Sequence, residues 1–311
     1  MLSRTAENLY WMTRYMERAE TMARLMMVGY RIGLMPSSGA GTRSDWGSIL
    51  SAAGVATGYT EQYGEIDEAA IENYVIFDRA NASSVASCIA RARDNARTVR
   101  TAVTTEVWDA LNGAYQELRH LRPGDLPFLC DWTRRQTALV RGAIEGTQLH
   151  QDGYDFMSLG YYLERADNTA RVLDVKYYVL LPTTQRGGGS VDNYQWVTLL
   201  RSLSAHRSFH WTYGGDYAPT KIAHFLILNK TNPRALLHSA EETSYHLNRL
   251  ARAYGQSSRA QTQANGLLAR VAEAQIEEII ADGLHEFLNE FIVENGELAQ
   301  SVADSYLFGP K

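Results

Sequence analysis

The chain has 311 residues, of which 45% are hydrophobic and 21% are charged, as is ordinary for a globular protein with a sizeable core. Its formal net charge of −5 argues against nucleic-acid binding, which needs a basic excess, and its two cysteines are too few for a disulfide framework. No apolar run is long enough for a membrane span and the N-terminus has no signal-peptide core, so we expect a cytoplasmic protein that does not contact membranes.

The first predicted element is a long helix from Ser3 to about Leu34. Apolar residues recur along it every seven positions with others between them, which is the periodicity of a buried helix face. These residues are Leu2, Leu9, Met16, Ala23 and Tyr30, with Met12, Ala19 and Met26 in the intervals. Because Tyr10, Trp11 and Tyr15 add apolar surface on a second side, this helix is expected at the centre of a bundle.

The rest of the first half is predicted as a loop followed by shorter helices. The loop, Pro36–Asp45, is rich in Gly, Ser and Pro. Helices are expected at Trp46–Ala56, Ile66–Phe77, Ala82–Leu118 and Phe128–His150. The third of these is expected to be broken or kinked near Thr104, where β-branched residues cluster. Asn81 stands at its start, and two prolines follow its end.

The second half repeats this order. A helix is predicted at Tyr154–Leu181, then a loop at Pro182–Asp192, then helices at Arg234–Tyr254, Gln261–Phe291 and Glu297–Leu307. Asn232 is expected to cap the first of these three helices, with Pro233 as its first residue. No stretch alternates polar and apolar residues convincingly with the period of a strand, so the predicted class is all-α.

Two stretches of the chain share one pattern. Residues 15–28 align without a gap with residues 162–175, and seven of the fourteen positions are identical. Each copy places an adjacent Glu-Arg doublet in an otherwise apolar helix, and other landmarks pair at similar spacing. The doublets are Glu17-Arg18 and Glu164-Arg165, and the landmarks are Trp46 with Trp196 and Asn81 with Asn232. The pattern predicts an internally duplicated helical bundle, with residues 1–150 and 151–311 as two helical repeats packed as one body.

This doubled motif resembles the bacterial Alpha-E family, a helical family named for its Glu-Arg motif. The residues that carry the resemblance are LSRTAENLYWMTRYMERAE (2–20), ASCIARARDNARTVR (86–100), EVWDALN (106–112) and YLERAD (162–167). The family has no established activity, but its members occur beside circularly permuted ATP-grasp ligases and sometimes transglutaminase-like proteins or an Anbu-type peptidase. The resemblance therefore implies an accessory subunit that binds a peptide or an ATP-grasp amide-bond ligase in a polar groove between the repeats.

The Glu-Arg doublets are the candidate site. Neighbours on a helix point about 100° apart, so Glu17 and Arg18 do not pair with each other. If the two long helices pack about a pseudo-twofold axis, Glu17 reaches Arg165 and Glu164 reaches Arg18. Such a network holds the helices together; alternatively, its arginines line a cleft for a carboxylate or phosphate. The binding candidates are Glu17, Arg18, Glu20, Arg24, Glu164, Arg165, Asp167 and Arg171.

Other interpretations of the same residues remain open. The chain is alternatively an enzyme with Glu17 or Glu164 as acid or base and Arg18 or Arg165 as anion clamp, or a purely structural scaffold. A carboxylate metal site would use Glu17, Glu20, Glu164 and Asp167, but dinuclear bundles normally also supply Glu-x-x-His, which neither motif contains. We therefore predict no metal and no cofactor.

A second group of basic residues lies outside the doublets. Arg93, Arg97 and Arg100 form a stripe at helical spacing. Such a stripe is usually a solvated face or is paired with acidic neighbours, and binding of an acidic peptide or partner is the alternative. Cys88 and Cys130 are expected in apolar packing rather than as nucleophiles.

Overall fold

A computed structural model of the chain describes residues 1–34, 41–180 and 190–309, with the backbone alone at 41–45, 175–180 and 190–195. All regular structure in these ranges is helical, which confirms the all-α class. The first half contains α1 (Ser3–Gly33), α2 (Gly41–Ala52), α3 (Ala56–Tyr63), α4 (Glu68–Glu72), a π-helical turn (Asn73–Phe77), α5 (Val85–Thr98), a 3-10 turn (Arg100–Ala102), α6 (Thr105–Leu118) and α7 (Leu126–Thr147).

The second half contains α8 (Asp152–Leu180), α9 (Ser190–Ser202), α10 (His206–Tyr213), α11 (Pro219–Ile227), α12 (Leu236–Tyr254), α13 (Arg259–Glu273), α14 (Ile276–Asp282) and α15 (Leu284–Ser305). None of the described helices is both long and apolar enough to cross a membrane. The long helices α1 and α8 pack against each other, and α1 is buried on more than one face, as its apolar pattern predicts.

The backbones of α1 and α8 approach closely at one point. The Thr13 hydroxyl donates to the backbone oxygen of Met157 at 2.6 Å. At Gly160 an added Cβ would lie 2.1 Å from the backbone oxygen of Tyr10, so only glycine permits this approach. Residues 13 and 160 correspond under the offset of the doublets, as do residues 10 and 157. The two contacts therefore exchange partners as a twofold relation between the helices requires.

The neighbours of the two long helices also correspond. α1 packs against α5 and α7, and α8 packs against α12 and α15. α6 contacts α5 and α7, whereas α13 contacts α12 and α15, and both α2 and α9 touch the two long helices. This correspondence supports the internal duplication, which stays a prediction together with the repeat boundaries at 1–150 and 151–311.

The expected cap at Asn232 is wrong, because α12 begins only at Leu236. The Asn232 side chain instead closes the preceding loop: its amide donates to the backbone oxygen of Phe225 at 2.9 Å, and its oxygen accepts from the backbone nitrogen of Arg234 at 3.2 Å. The Asn81 side chain makes the same two bonds. Its amide donates to the backbone oxygen seven residues before it at 3.1 Å, and its oxygen accepts from the backbone nitrogen two residues after it at 2.9 Å. The two asparagines are thus equivalent loop residues rather than caps.

Other boundaries differ for local reasons. The break near Thr104 is confirmed, since the Thr104 hydroxyl accepts from the backbone of Val107 and starts α6. The predicted helix Gln261–Phe291 is divided into α13, α14 and the start of α15, and Gly283, at φ +122°, separates the last two. The predicted helix Glu297–Leu307 is the continuation of α15. Of the two predicted loops, residues 36–40 and 182–189 lie outside the described residues, while α2 and α9 already begin within their predicted limits.

Candidate functional site

The two Glu-Arg doublets meet between α1 and α8. Arg165 donates from Nε and Nη2 to the two carboxylate oxygens of Glu17, at 2.9 and 3.1 Å. Arg18 donates in the same way to Glu164, at 2.6 and 3.0 Å. Glu17 is 2% and Glu164 is 3% exposed, so both bidentate pairs exclude water from the carboxylates. The predicted crossed pairing is confirmed, and we call these four residues the crossed pairs.

Glu164 is held ionised near neutral pH. A third residue, Arg14, donates from Nε to Glu164 at 2.9 Å. Burial acts to raise the pKa of Glu164, but the charges of Arg18 and Arg14 outweigh it and lower the pKa to about 2. A carboxyl group with this pKa neither donates nor accepts a proton readily near neutral pH. The chemistry of Glu164 therefore favours structural pairing over the acid or base role in the enzyme alternative.

Glu20, one turn after Glu17, is the centre of a second cluster. Its carboxylate accepts hydrogen bonds from Arg24 Nε at 2.9 Å, Arg141 Nη2 at 2.9 Å and Arg234 Nη2 at 2.5 Å. The Thr137 hydroxyl also donates to it at 3.2 Å. Burial alone would raise the pKa of Glu20, yet Arg234 and Arg24 hold it well below its usual range. Glu20 thus collects arginines from three separate parts of the chain.

A cleft of about 320 Å³ opens beside Glu20. Five guanidinium groups line it, and we call it the arginine cleft: Arg24, Arg134, Arg141, Arg165 and Arg234. Its walls come from α1 and α7 of the first half and from α8, the α9–α10 turn and the segment before α12 of the second half. The arginine cleft therefore lies between the two predicted repeats, where the polar groove was expected.

Positive charge exceeds negative charge in the arginine cleft. Among the described residues, its five guanidinium groups form ion pairs with two buried carboxylates, Glu17 and Glu20, and with the exposed Asp131. Burial lowers the pKa of Arg24, and the charge of Arg234 lowers it further. The pKa of Arg234 is lowered in the same way, by burial and by the neighbouring Arg165. Burial is the larger cause of both shifts, and repulsion between neighbouring guanidinium groups is the second. An anion that enters the arginine cleft reduces this repulsion and is therefore attracted.

Two donors in the arginine cleft have no hydrogen-bond partner within the described part of the chain. They are the Nε atoms of Arg134 and Arg141, both shielded from solvent. Buried polar groups are normally paired, and an unpaired one costs about 1–3 kcal/mol. The guanidinium of Arg141 also lies 4.6 Å from the ring centre of Tyr161, which supports its position from one side. Both are unsatisfied donors of residues that line the arginine cleft.

Ser204, in the turn between α9 and α10, lies at the mouth of the arginine cleft. Its hydroxyl accepts hydrogen bonds from Arg24 Nη1 at 3.1 Å and from Arg134 Nη2 at 3.0 Å. Its φ of +56° is a left-handed conformation that favours glycine. The corresponding residue of the first half, at the offset of the paired tryptophans, is Gly54 with φ +69°. The same turn is therefore built with glycine in one half and with serine in the other.

The remaining predicted site residues do not line the arginine cleft. Asp167 and Arg171 pair with each other along α8, at 2.6 Å, and Arg171 lies beside Gly54. Arg18 and Glu164 form a crossed pair that does not contribute to the cleft wall. The structure thus brings together Glu17, Glu20, Arg24 and Arg165 from the predicted set.

The basic stripe also lies outside the cleft lining. Arg93 donates to the Asn112 side chain at 2.8 Å and stands over the rings of Trp108 and Tyr115, at 5.6 and 4.6 Å. Arg97 is 66% exposed and lies 3.4 Å from Asp94, and Arg100 stands 5.4 Å from the Trp108 ring. These contacts are those of an ordinary helix surface with stacked and paired arginines.

Sequence reasoning missed Arg134, Arg141, Arg234 and Ser204. Arg134 and Arg141 lie two turns apart on one face of α7, a spacing that was visible in the sequence but that did not show which side of α7 faces the other half of the chain. Arg234 follows Asn232 by two residues, and the equivalence of Asn232 with Asn81 was the available signal for that loop. Nothing in the sequence marked Ser204, because its left-handed backbone is visible only in the structure.

Two further kinds of side chain bear on the chemistry of the protein: potential metal ligands and cysteine thiols. Within the described ranges, no group of three or more His, Cys, Asp or Glu side chains is arranged to hold a metal ion. Cys88 and Cys130 are buried, and burial raises the pKa of each thiol to about 12. Both are therefore neutral thiols in apolar packing, as expected from the sequence.

Comparison with known proteins identifies what the chain is similar to. One family model matches residues 1–307, and its description is a predicted alpha-helical domain with a conserved ER motif. Uncharacterized protein Mb2597 of Mycobacterium bovis and uncharacterized protein MT2643 of Mycobacterium tuberculosis are each 24% identical over 324 aligned residues. Uncharacterized protein Rv2567 of M. tuberculosis is 23% identical over the same length.

These relatives are much longer than the chain. Each alignment covers 97% of this chain but 36% of the relative, so the chain spans about a third of the length of the curated relatives that it matches. No solved structure matches the chain. The chain contains Glu-Arg doublets at residues 17–18 and 164–165, which form the crossed pairs.

Proposed function

The chain belongs to the Alpha-E family, and from this membership and the arginine cleft we propose that it is an accessory subunit of an ATP-grasp amide-bond ligase. In this role the arginine cleft binds an anionic group of a peptide or of the ligase itself. The subunit positions that group and leaves the bond-forming chemistry to its partner, which acts with it in the cytoplasm.

The excess of positive charge in the arginine cleft is the observation that carries this proposal. Five guanidinium groups line the cleft around two buried carboxylates. Burial lowers the pKa values of Arg24 and Arg234, and a neighbouring guanidinium lowers each further: Arg234 for Arg24, and Arg165 for Arg234. Arginine binds carboxylate and phosphate groups with two parallel hydrogen bonds, which fixes orientation as well as charge. A site with this composition is suited to an acidic ligand and poorly suited to a cation or to an apolar group.

The partner class rests on the family, whose members resemble one another in their association with circularly permuted ATP-grasp ligases, transglutaminase-like proteins and Anbu-type peptidases. The lengths of the relatives are compatible with this arrangement, since the matched region forms only 36% of each. In those proteins the helical unit is covalently joined to further chain. A helical unit that is joined to further segments in its relatives is suited to work together with another protein, as an accessory subunit does.

The two alternatives lead to different expectations for the same residues. A purely structural scaffold needs the crossed pairs but not the unpaired donors of Arg134 and Arg141. An independent enzyme needs a carboxyl group with a pKa near neutrality, whereas the pKa values of Glu164 and Glu20 are lowered. Binding through the arginine cleft accounts for both features.

A matched pair of variants tests the proposal. Arg134 and Arg135 are adjacent on α7 and both pair weakly with Asp131, at 3.7 and 3.8 Å, but only Arg134 lines the arginine cleft. Binding of a fluorescein-labelled hexaglutamate peptide is measured by anisotropy. We expect Arg134→Gln to weaken binding about three- to tenfold and Arg135→Gln to leave it unchanged. Equal effects of the two substitutions would assign the binding to general surface charge and reject the site.

The partner is tested separately. The chain is co-expressed with an ATP-grasp ligase from the same organism, and the complex is sought by affinity capture and analytical ultracentrifugation. A complex that forms with the unmodified chain and is weakened by Arg134→Gln supports the accessory role. Absence of a complex, with no change in ligase activity on addition of the chain, contradicts it.

A further inference from the structure

We propose that the arginine cleft binds a phosphoryl dianion in preference to a carboxylate, with the Ser204 hydroxyl as one of its hydrogen-bond donors. This inference rests on the proposed function, because it names the chemical class of the anion that enters the same site. The occupant is a phosphate ester or free phosphate, and these two sources present the same group to the cleft.

The charge balance favours a dianion. The guanidinium groups of the arginine cleft outnumber the two buried carboxylates that they contact by three, and by two when the exposed Asp131 is included. A carboxylate supplies one negative charge, so cations remain in excess after it binds. A phosphoryl group supplies nearly two and brings the surroundings of Arg24, Arg141 and Arg234 close to neutrality.

The hydrogen-bond donors that have no described acceptor also favour a phosphoryl group over a carboxylate. The Nε atoms of Arg134 and Arg141 are shielded from solvent and have no hydrogen-bond partner among the described residues. The Ser204 hydroxyl is the acceptor in both of its described hydrogen bonds, from Arg24 and Arg134, so the hydroxyl hydrogen remains for donation. Ser204 thus supplies a free donor in the cleft lining, and Arg134 and Arg141 are lining residues that each carry an unsatisfied buried donor. A phosphoryl group offers three strong acceptor oxygens, whereas a carboxylate offers two.

Comparison of the two halves of the chain shows that the fold itself does not require the side chains of Ser204 and Arg234. At the position of Ser204, the first half has Gly54 with nearly the same backbone, at φ +69° against +56°. At the position of Arg234, the first half has Ser83, which follows its loop asparagine by two residues in the same way. Both cleft residues are therefore additions to a turn and a loop that form without them. A strained backbone at a residue whose side chain faces a cleft is typical of a functional site.

Isothermal titration with small anions tests the preference. Inorganic phosphate, sulfate and acetate are titrated into the full chain at constant ionic strength, at about pH 8 and about pH 5.5. Phosphate is mainly a dianion at the higher pH and mainly a monoanion at the lower pH, whereas sulfate stays a dianion. We expect phosphate to bind at least about tenfold more tightly than acetate at pH 8, and to weaken at pH 5.5 while sulfate does not.

Ser204→Gly tests the role of the hydroxyl without disturbing the fold. Glycine is the residue that the left-handed backbone favours, which offsets the loss of the two hydrogen bonds that the hydroxyl accepts. We therefore expect this variant to fold with a stability close to that of the unmodified chain. Its affinity for phosphate is expected to fall about three- to tenfold. Leu307→Gly is the matched control, because Leu307 has φ +57° and is 78% exposed outside the cleft lining. It removes the same backbone strain and is expected to leave phosphate affinity unchanged.

The outcomes separate the inference from the proposal beneath it. If acetate binds as tightly as phosphate and Arg134→Gln weakens both, the preference for a dianion is overturned while the anion site stands. If neither anion binds saturably, both the preference and the anion site fall. An unchanged phosphate affinity in Ser204→Gly overturns the role assigned to the hydroxyl.

Discussion

Glu17 on α1 accepts two hydrogen bonds from Arg165 on α8, and the residue adjacent to each of them takes part in the reversed pair. Arg18 follows Glu17 and bonds Glu164, which precedes Arg165. Each doublet thus supplies one acceptor and one donor to the opposite helix. Because a slide of one helix along the other would break both pairs at once, the crossed pairs fix the register of α1 against α8.

Replacing Glu164 by glutamine is expected to destabilise the protein by about 3–5 kcal/mol, because it leaves the partly buried Arg18 and Arg14 without their anion. The free energy of unfolding is measured by urea denaturation with circular dichroism. Glu297→Gln is the matched control, since Glu297 is exposed in the middle of α15 and is expected to change stability by less than about 0.5 kcal/mol. Equal stability of the two variants would contradict the structural role of the crossed pairs.

The same carboxylate makes stability depend on pH in a defined window. In the folded protein its pKa is lowered from 4.5 to about 2, so the folded state binds this proton less readily than the unfolded chain. Its contribution is therefore complete above about pH 4.5 and is lost as the pH falls towards 2. Glu20, whose pKa is lowered too, acts in the same direction.

Urea titrations between pH 6 and pH 2.5 check this dependence. We expect the free energy of unfolding of the unmodified chain to fall steeply below about pH 4.5, and that of Glu164→Gln to fall less steeply in the same interval. The difference between the two curves isolates the contribution of Glu164 from those of the other acids. Parallel curves for the two proteins would show that Glu164 titrates normally in the folded state.

The cysteines provide an independent test of the core. Cys88 and Cys130 are both 0% exposed, and burial raises the pKa of each to about 12. Alkylation requires an accessible thiolate, so we expect neither residue to react with iodoacetamide in the native protein at pH 8. In denaturant both are expected to react within minutes, as counted by intact mass. Rapid labelling of one cysteine in the native state would mean that its helix opens locally.

The crossed pairs were predictable from sequence because the Glu-Arg doublet that forms them is a short local pattern and occurs twice. Two doublets at corresponding positions of two apolar helices need only antiparallel or twofold packing to meet, and the helical period dictates which neighbours cannot pair. The all-α class followed from the same periodicity. The break near Thr104 was predictable as well, because β-branched residues cluster there, and the Thr104 hydroxyl caps the start of α6.

The arginine cleft was not predictable in the same way, because its residues come from five separate segments. Arg134 and Arg141 on α7 and Arg234 before α12 contribute to it only after α7, α8 and the Asn232 loop have packed. The N-cap assigned to Asn232 was wrong for a related reason. An Asn-Pro sequence fits a helix start locally, but a tertiary bond to the Phe225 carbonyl uses the amide to close a loop instead.

Replacing each of two glycines by alanine tests the close approach of α1 and α8, because the two substitutions are expected to change the stability of the protein in opposite directions. At Gly160 a Cβ would lie 2.1 Å from the backbone oxygen of Tyr10 and 2.5 Å from the Thr13 hydroxyl, so Gly160→Ala forces the two helices apart. We expect it to destabilise the protein by about 1–3 kcal/mol, which is typical of an overpacked core.

Gly296 lies on an exposed face of α15, where a Cβ meets nothing within 4 Å. Gly296→Ala is therefore expected to stabilise the protein by about 0.5–1 kcal/mol, because alanine has the higher helix propensity. Both variants are compared by urea denaturation under one set of conditions. If Gly160→Ala stabilised the protein as Gly296→Ala does, α1 and α8 would not touch at this point. The crossed pairs, four to five residues further along, would then lack the contact that sets the distance between the two helices.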